Sequence, residues 1–139
     1  MAHVNLLKLC VGAEAVEDLI AWQQSRYGDG TAMHVTRMWP KRADEVLAGG
    51  SLYWVFKGLV LARQRIVGLE PREGQDGISR CAILLDRDVV RTEPMPRRPF
   101  QGWRYLAAEE APQDLVPGRE REEPLPRELL EALSQIGLR

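Results

Sequence analysis

The sequence lacks a long apolar run, and this absence excludes a membrane-spanning helix. No stretch approaches the roughly 20 consecutive apolar residues that such a helix needs. The first residues also lack the basic segment, apolar stretch and small-residue cleavage site of a secretory leader. We therefore expect a cytoplasmic protein with no membrane partner, and the 45% of hydrophobic residues predicts a folded chain.

Cysteine and histidine are scarce. The two cysteines, Cys10 and Cys81, lie within apolar runs, where a free cysteine is most often a core residue. Burial is therefore favoured over a disulfide or a reactive thiol. The two histidines, His3 and His34, do not form a metal-ligand spacing with the cysteines. The sequence predicts no metal site and no cofactor.

Recognisable catalytic motifs are absent as well. There is no phosphate-binding glycine loop, no dinucleotide fingerprint and no nucleophile elbow. The sequence thus leans against an enzyme. It leaves open a small enzyme that acts on a nucleotide or another anionic metabolite, with an acid such as Glu93 or Asp86 in its pocket.

The charge is unevenly distributed along the 139 residues, whose number suits a single domain (1–139). The formal net charge of −1 combines +3 over residues 1–106 (15 basic, 12 acidic) with −4 over residues 107–139 (4 basic, 8 acidic). Residues 107–124 are predicted to form an acidic, loop-rich connector to a C-terminal helix at 126–136. An acidic tail of this kind can shield a basic face or keep the chain in solution.

Hydrophobic periodicity predicts about six strands and three helices. The strands cluster in the middle of the chain and do not alternate regularly with helices after residue 50. This order favours an α+β fold, with a small, curved, mostly antiparallel sheet or a small β-barrel flanked by about three helices. The strands are predicted at 3–11, 33–39, 52–56, 59–69, 78–86 and 100–106, with a further short one at 89–92.

Two local predictions concern helices and prolines. The first helix, at 14–27, is expected to place Ile20 and Trp22 on its apolar face together with Val16 and Leu19. Pro40 is predicted to open a second, short helix that ends at the glycine pair 49–50. The three prolines between residues 94 and 99 are expected to prevent regular hydrogen-bonded structure there.

Two runs combine arginine with aromatic residues. Residues 97–105 hold three arginines and three aromatics in nine positions, and residues 34–42 have a similar make-up. Aromatic rings stack on flat ligands such as bases, and guanidinium groups pair with phosphates. Lys41 and Arg42 at a helix start oppose the helix dipole, which hints at an anionic ligand. The candidate ligand-binding residues from the two runs are Arg37, Trp39, Lys41, Arg42, Arg97, Arg98, Trp103 and Arg104.

A third candidate is the pair Arg63 and Arg65, two residues apart in a predicted strand. Both side chains would project from one face, with Cα atoms about 6.5–7 Å apart, close to the spacing of adjacent phosphates. Gln64 would point to the opposite face with Val60, Ala62 and Ile66. The alternative is a solvated outer face, where the two arginines pair with acids on neighbouring strands.

The chain resembles a family of short bacterial proteins, mainly alphaproteobacterial, classed as domain of unknown function 1489. This resemblance implies no activity. The matching segments are LKLCVG (7–12), HVTRMWP (34–40), GGSLYWV (49–55), RQRI (63–66), RTEP (91–94) and RRPFQGWRYL (97–106).

A coarser resemblance concerns the order of the elements. A short helix that ends at residues 47–50, followed by a strand and by a second strand near 61–67, is similar to the PUA and ASCH group of small barrels. That likeness implies a PUA-like barrel with a basic cleft for RNA or a modified base. It carries over no individual residue.

These observations favour a nucleic-acid or nucleotide binding module, with RNA or a modified base as the expected partner. Trp39 or Trp103 would stack on a base, and the basic residues of the two runs would contact phosphate. The small enzyme described above is the first alternative. A protein-interaction module, such as a homodimer, is the second, because Trp, Tyr and Arg also dominate protein interfaces.

Overall fold

The computed structural model describes residues 3–28, 30–98 and 100–115. The predicted C-terminal helix and residues 116–124 of the acidic connector lie outside these residues. The described part contains seven strands, two helices and one short 3-10 turn. Their bounds are β1 Val4–Leu9, α1 Val16–Tyr27, β2 Ala32–Thr36, α2 Ala43–Leu47, β3 Ser51–Phe56, β4 Leu59–Glu73, β5 Ser79–Leu85, β6 Val90–Pro96, β7 Trp103–Ala107 and the turn Ala108–Glu110.

The seven strands form one mixed sheet in the order β2-β5-β4-β3-β1-β7, with β6 added to β4. The pairing of β1 with β3 is parallel, and all other named pairings are antiparallel. The prediction of a mostly antiparallel α+β fold is therefore confirmed. The path from β2 to β7 does not close on itself among the described residues, so these strands form an open sheet.

Helix α1 packs on the sheet through a narrower stripe than the sequence predicts. Val16, Leu19 and Gln23 are its buried residues. Trp22 is 51% exposed and Ile20 is 40% exposed, so their predicted place on the buried face is wrong. A helix buries residues three and four apart, and Gln23 completes the stripe that starts at Val16 and Leu19.

Apolar side chains on the two sheet faces build two separate clusters, because successive residues of a strand point to opposite faces. The larger cluster contains Leu6, Leu52 and Trp54 and extends to α1 and α2. The smaller one consists of Leu7, Tyr53, Val55, Val60 and Leu106. The sheet therefore has apolar surface to cover on both sides.

A bulge corrects the prediction for Val60. The register of β3 and β4 shifts between Trp54 and Val55, opposite the step from Val60 to Ala62. Because one residue is inserted there, Val60 joins the smaller cluster, whereas Ala62 and Ile66 lie in the larger one. Strict alternation predicted that Val60 shares a face with Gln64, and this prediction is wrong.

Strand β6 runs through Pro94 and Pro96, where the sequence predicts no regular structure. Among the described strands β6 pairs only with β4, and on its other side residues 113–115 bond residues 91–93, before the two prolines. Proline lacks the N–H that a second partner would require, so an edge strand tolerates it. The prediction was wrong because it treated proline as a general breaker.

Helix α2 begins at Ala43, after Arg42, and not at Pro40, which lies buried in the connection. The helix is followed by Gly49, which has a positive φ of 124°, and by Gly50. A Cβ atom on Gly50 would collide with the carbonyl oxygens of Val4 and Val46. Glycine is therefore required where α2 and the start of β3 approach β1.

No helix in the described part is long and apolar enough to cross a membrane.

Candidate nucleic-acid interface

An open groove of about 1430 Å³ lies on the sheet face that carries the smaller apolar cluster. Its floor comes from β1, β3 and β7, which contribute Leu7, Leu9, Val55 and Leu106, and Phe100 closes one side. The floor is apolar because alternation along β1 and β7 directs these side chains to one face. Any ligand of this groove would therefore lie on hydrophobic side chains.

Three arginines from the first basic run line this groove: Arg97, Arg98 and Arg104. None of them forms an ion pair with an acid in the described part of the chain. The guanidinium of Arg97 donates to the carbonyl oxygen of Pro96 (3.4 Å), and that of Arg104 donates to the carbonyl oxygen of Gln101 (3.2 Å). Their positive charges have no carboxylate partner among these residues.

The loop that presents these arginines is fixed at both ends. The backbone N–H of Arg97 donates to the carbonyl oxygen of Gly58 at 2.8 Å. Gly102, with φ of 68°, turns the chain into β7. The guanidinium of Arg104 lies over the ring of Phe100, 5.6 Å from its centroid. Lys57 also lines the groove, but Glu14 binds its ammonium group at 3.2 Å.

The second basic run contacts β7 from the sheet face opposite the groove. The indole Nε1 of Trp103 donates to the carbonyl oxygen of Met38 at 3.0 Å. The backbone N–H of Arg42 donates to the hydroxyl of Tyr105 at 3.1 Å, and the Arg42 guanidinium lies over the same ring. The sequence alone does not show this proximity, since it depends on the position of β7 at the sheet edge.

Residues of the second run differ in how free their charges are. Arg37 and Lys41 are exposed and form no ion pair with another described residue. Arg42 forms two hydrogen bonds of 2.7 and 2.8 Å to the carboxylate of Glu45, which raises the Arg42 pKa and lowers the Glu45 pKa. This contact offsets the unfavourable position of Arg42 at a helix start, so the predicted hint of an anionic ligand has a local explanation.

The two candidate stacking residues behave differently. Trp39 is 43% exposed, so its ring is accessible. Trp103 is only 5% exposed and packs in the larger cluster, so its indole is not available to stack on a base. The sequence did not single out Tyr105: its ring is 37% exposed and contacts both Trp103 and Arg42, on the sheet face opposite the side chain of Arg104.

The Arg63–Arg65 pair is separate from the groove. The two side chains share a face of β4, with Gln64 buried between them, as predicted. Arg63, however, donates two hydrogen bonds of 2.8 and 2.7 Å to the carboxylate of Asp114 and a third to Ser51. Its guanidinium is therefore occupied, whereas Arg65 is exposed.

A family model matches residues 6–139 of the chain. The chain belongs to the DUF1489 family. The description of this family is "Protein of unknown function", so membership assigns no activity. Neither the curated proteins nor the solved structures gave a significant match.

The thiols and the imidazole of this DUF1489 protein are poorly suited to chemistry. Burial raises the pKa of both Cys10 and Cys81 to about 11, so the reactive thiolate is scarce at neutral pH. Burial also lowers the pKa of His34 to about 4. Within the described ranges, no group of three or more His, Cys, Asp and Glu side chains is arranged to hold a metal ion.

Proposed function

We propose that this DUF1489 protein binds single-stranded nucleic acid, with RNA as the first candidate, along the groove beside β7. The observation that carries the proposal is the trio of groove-lining arginines, Arg97, Arg98 and Arg104, which have no carboxylate partner in the described part. A row of phosphates would supply the missing negative charge. Arginine is suited to this task because its planar fork binds two phosphate oxygens at once.

Base contacts would come from accessible rings across the edge strand β7 from these arginines, so the ligand would pass over the edge of the sheet. Trp39 and Tyr105 are the rings that remain for stacking, since Trp103 is buried. Stacking tolerates any base, which fits a binding surface without a recognisable base-reading motif. In this proposal Trp103 positions the second basic run through its hydrogen bond to Met38 and does not touch the ligand.

Two finer statements belong to the same proposal. One is a PUA-like architecture, supported by the order in which α2, the glycine pair 49–50, β3 and β4 follow one another. The other is an intracellular location, where nucleic acid is the abundant polyanion. Arg63 is not assigned to the ligand, because Asp114 engages it. Arg37, Lys41 and Arg65 are exposed and would add to the positive field of this surface.

The test is a titration of a fluorescently labelled single-stranded RNA pool, followed by anisotropy at low and moderate salt. The wild-type chain is expected to bind with an affinity that falls as salt rises. Arg97→Ala/Arg98→Ala should reduce the magnitude of the salt slope by about 1.4, because each phosphate contact to a single strand contributes about 0.7.

The control is Arg26→Ala/Arg72→Ala, which removes the same charge from side chains that do not line the groove. It should retain most of the affinity and the full salt slope. Equal losses in the two double variants would show that only net charge matters and would reject the groove. The absence of any binding to a folded wild-type chain would reject nucleic acid and favour a small anionic metabolite or a protein partner.

A further inference from the structure

The groove floor is not fully covered by the described residues. Leu9 and Phe100 are half-buried, and Val11, at one end of the groove, is 85% exposed. Apolar side chains gathered in one open groove gain free energy when another apolar surface covers them. The question is which surface does so.

The last described residues run along this side of the sheet. Glu110 lines the groove, and Ala111 packs against the smaller cluster. Asp114 is then held by Arg63, and the backbone N–H of Leu115 donates to the carbonyl oxygen of Arg91 at 3.0 Å. The 24 residues that follow are therefore tethered to the sheet at β6, on the face that carries the groove.

The sequence of those residues has two parts. Residues 126–136 carry an apolar stripe at helical spacing, made of Leu129, Leu130, Leu133 and Ile136, while Glu131 falls on the opposite side of the same helix. Residues 116–125 precede it, and ten residues can extend to about 33 Å. The apolar stripe can therefore reach any part of the groove.

We propose that residues 126–136 dock as an amphipathic helix on the apolar floor of the groove. Of the connector before them, residues 116–124 lie outside the described part, and they hold three acidic and two basic residues. The floor matches the stripe in hydrophobicity. A tethered segment also acts at a high effective concentration, which favours it over a second chain.

A consequence rests on the proposed function above: the docked segment competes with nucleic acid for the same groove. The C-terminal segment would then lower the apparent affinity by the free energy of its own docking. Substitutions that weaken docking should tighten nucleic-acid binding, although they remove no charge from the rim.

Docking can be tested without any nucleic acid by placing a thiol at Val11, which lines the groove and is 85% exposed, in a chain that also carries Cys10→Ser. Leu133→Cys and Glu131→Cys are compared in this full-length Cys10→Ser/Val11→Cys background with a short bis-maleimide reagent, and intramolecular cross-links to position 11 are quantified by mass spectrometry. If the segment is undocked, both introduced thiols have the same effective concentration and should cross-link equally. If it is docked, the cross-linking yield of Leu133→Cys should be roughly tenfold higher than that of Glu131→Cys.

A second measurement covers the case in which the introduced thiol points away from position 11. In the Cys10→Ser/Val11→Cys background, Leu129→Asp/Leu133→Asp should increase the rate at which a monofunctional maleimide labels position 11, whereas Glu128→Gln/Glu131→Gln should not. Equal cross-linking of the two cysteine variants, together with an unchanged labelling rate in the Asp variant, would overturn the docking proposal.

The nucleic-acid arm separates the two proposals. If Leu129→Asp/Leu133→Asp tightens RNA binding several-fold, both proposals are supported. Selective cross-linking in a chain that binds no RNA would support docking and reject the proposed function. RNA binding to the groove without selective cross-linking would support the proposed function and reject docking.

Discussion

Trp103 and Met38 join the edge strand of the sheet to the second basic run. The indole Nε1 donates to the carbonyl oxygen of Met38 at 3.0 Å, and Trp103 is only 5% exposed. The residue that the sequence singles out as a stacking platform is therefore a packing residue. Its contribution to the candidate interface is to fix the position of the residues around Trp39.

Replacement of this indole should lower the free energy of unfolding, because Trp103 is a packing residue and does not touch the proposed ligand. Trp103→Phe keeps most of the apolar contact but loses the hydrogen bond and leaves the Met38 carbonyl without this donor, so we expect a loss of about 1–3 kcal/mol. Trp103→Ala should cost about 3–5 kcal/mol. Urea unfolding measures both. Trp22→Phe, at an exposed position, is the control and should change the free energy of unfolding by less than about 0.5 kcal/mol.

The ion pair of Arg63 and Asp114 should stabilise the fold by a modest amount that depends on pH. The side chains are 23% and 42% exposed, so solvent screens the pair, and we expect a coupling energy of about 1 kcal/mol or less. Arg63 holds the pKa of Asp114 below its ordinary value. A lowered carboxyl pKa stabilises the folded state above the unfolded pKa, and this contribution is lost as the pH falls through the folded pKa.

A double-mutant cycle of Arg63→Ala and Asp114→Ala, measured by urea unfolding at neutral pH and again in acid, checks this expectation. The coupling should be present at neutral pH and vanish once Asp114 is protonated. Arg63→Lys should recover only part of it, because lysine cannot form the two parallel hydrogen bonds. A coupling that is unchanged in acid would show that packing, and not charge, joins the two residues.

His34 should make the protein less stable in mild acid. Burial, with a smaller contribution from Lys8, lowers its pKa from 6.5 to about 4. The unfolded chain therefore binds a proton at pH values where the folded chain does not. The stabilising effect is complete above the unfolded pKa and decreases as the pH falls toward 4, which amounts to about 2 kcal/mol between roughly pH 7.5 and pH 5.

The matched variant is His34→Phe. The imidazole packs edge-on against Trp54, with ring centroids 5.6 Å apart, and its buried Nε2 has no hydrogen-bond partner among the described residues. A phenyl ring should keep the contact and remove the titration, so the free energy of unfolding should change less between pH 7.5 and pH 5 than in the wild type. An identical change in both proteins would place the acid sensitivity elsewhere.

Much of the fold could be predicted because its signals are local. Strands β1 and β3 and helix α1 follow from apolar periodicity and from the glycines that end them. Strand β4 extends to Glu73, beyond the predicted end at 69, because its pairing with β5 continues through Pro71. Tertiary pairing outweighed the local turn signal there.

The candidate site shows the limit of local reasoning more clearly. Arg97, Arg98 and Arg104 could be grouped because they are close in sequence. The contact of the second basic run with β7 could not be predicted, since it requires β1 to pair with β7 on one side and with β3 on the other. The occupation of Arg63 depends on Asp114, which lies 51 residues later.

A buried amide network under α1 provides a last prediction. Gln64 accepts hydrogen bonds from Trp54 Nε1 and Gln23 Nε2, both at 2.9 Å, and donates to Gln23 Oε1 at 2.7 Å and to the carbonyl oxygen of Asp86 at 2.9 Å. The Gln64 side chain is completely buried, so all of these hydrogen bonds lie inside the protein. The network therefore ties α1, β3 and β4 to the end of β5.

Gln64→Leu should be strongly destabilising, because it leaves polar groups of Trp54, Gln23 and Asp86 without this partner. With about 1–3 kcal/mol for each buried group that loses its partner, we expect a loss of about 3 kcal/mol or more, measured by urea unfolding. Gln23→Leu should cost less, since Gln64 retains its bonds to Trp54 and Asp86. The two losses should not add: once Gln64 is replaced, Gln23→Leu removes an already unpaired amide and should be nearly neutral. Additive losses would mean that the two glutamines stabilise the protein independently, and that their mutual hydrogen bonds contribute little.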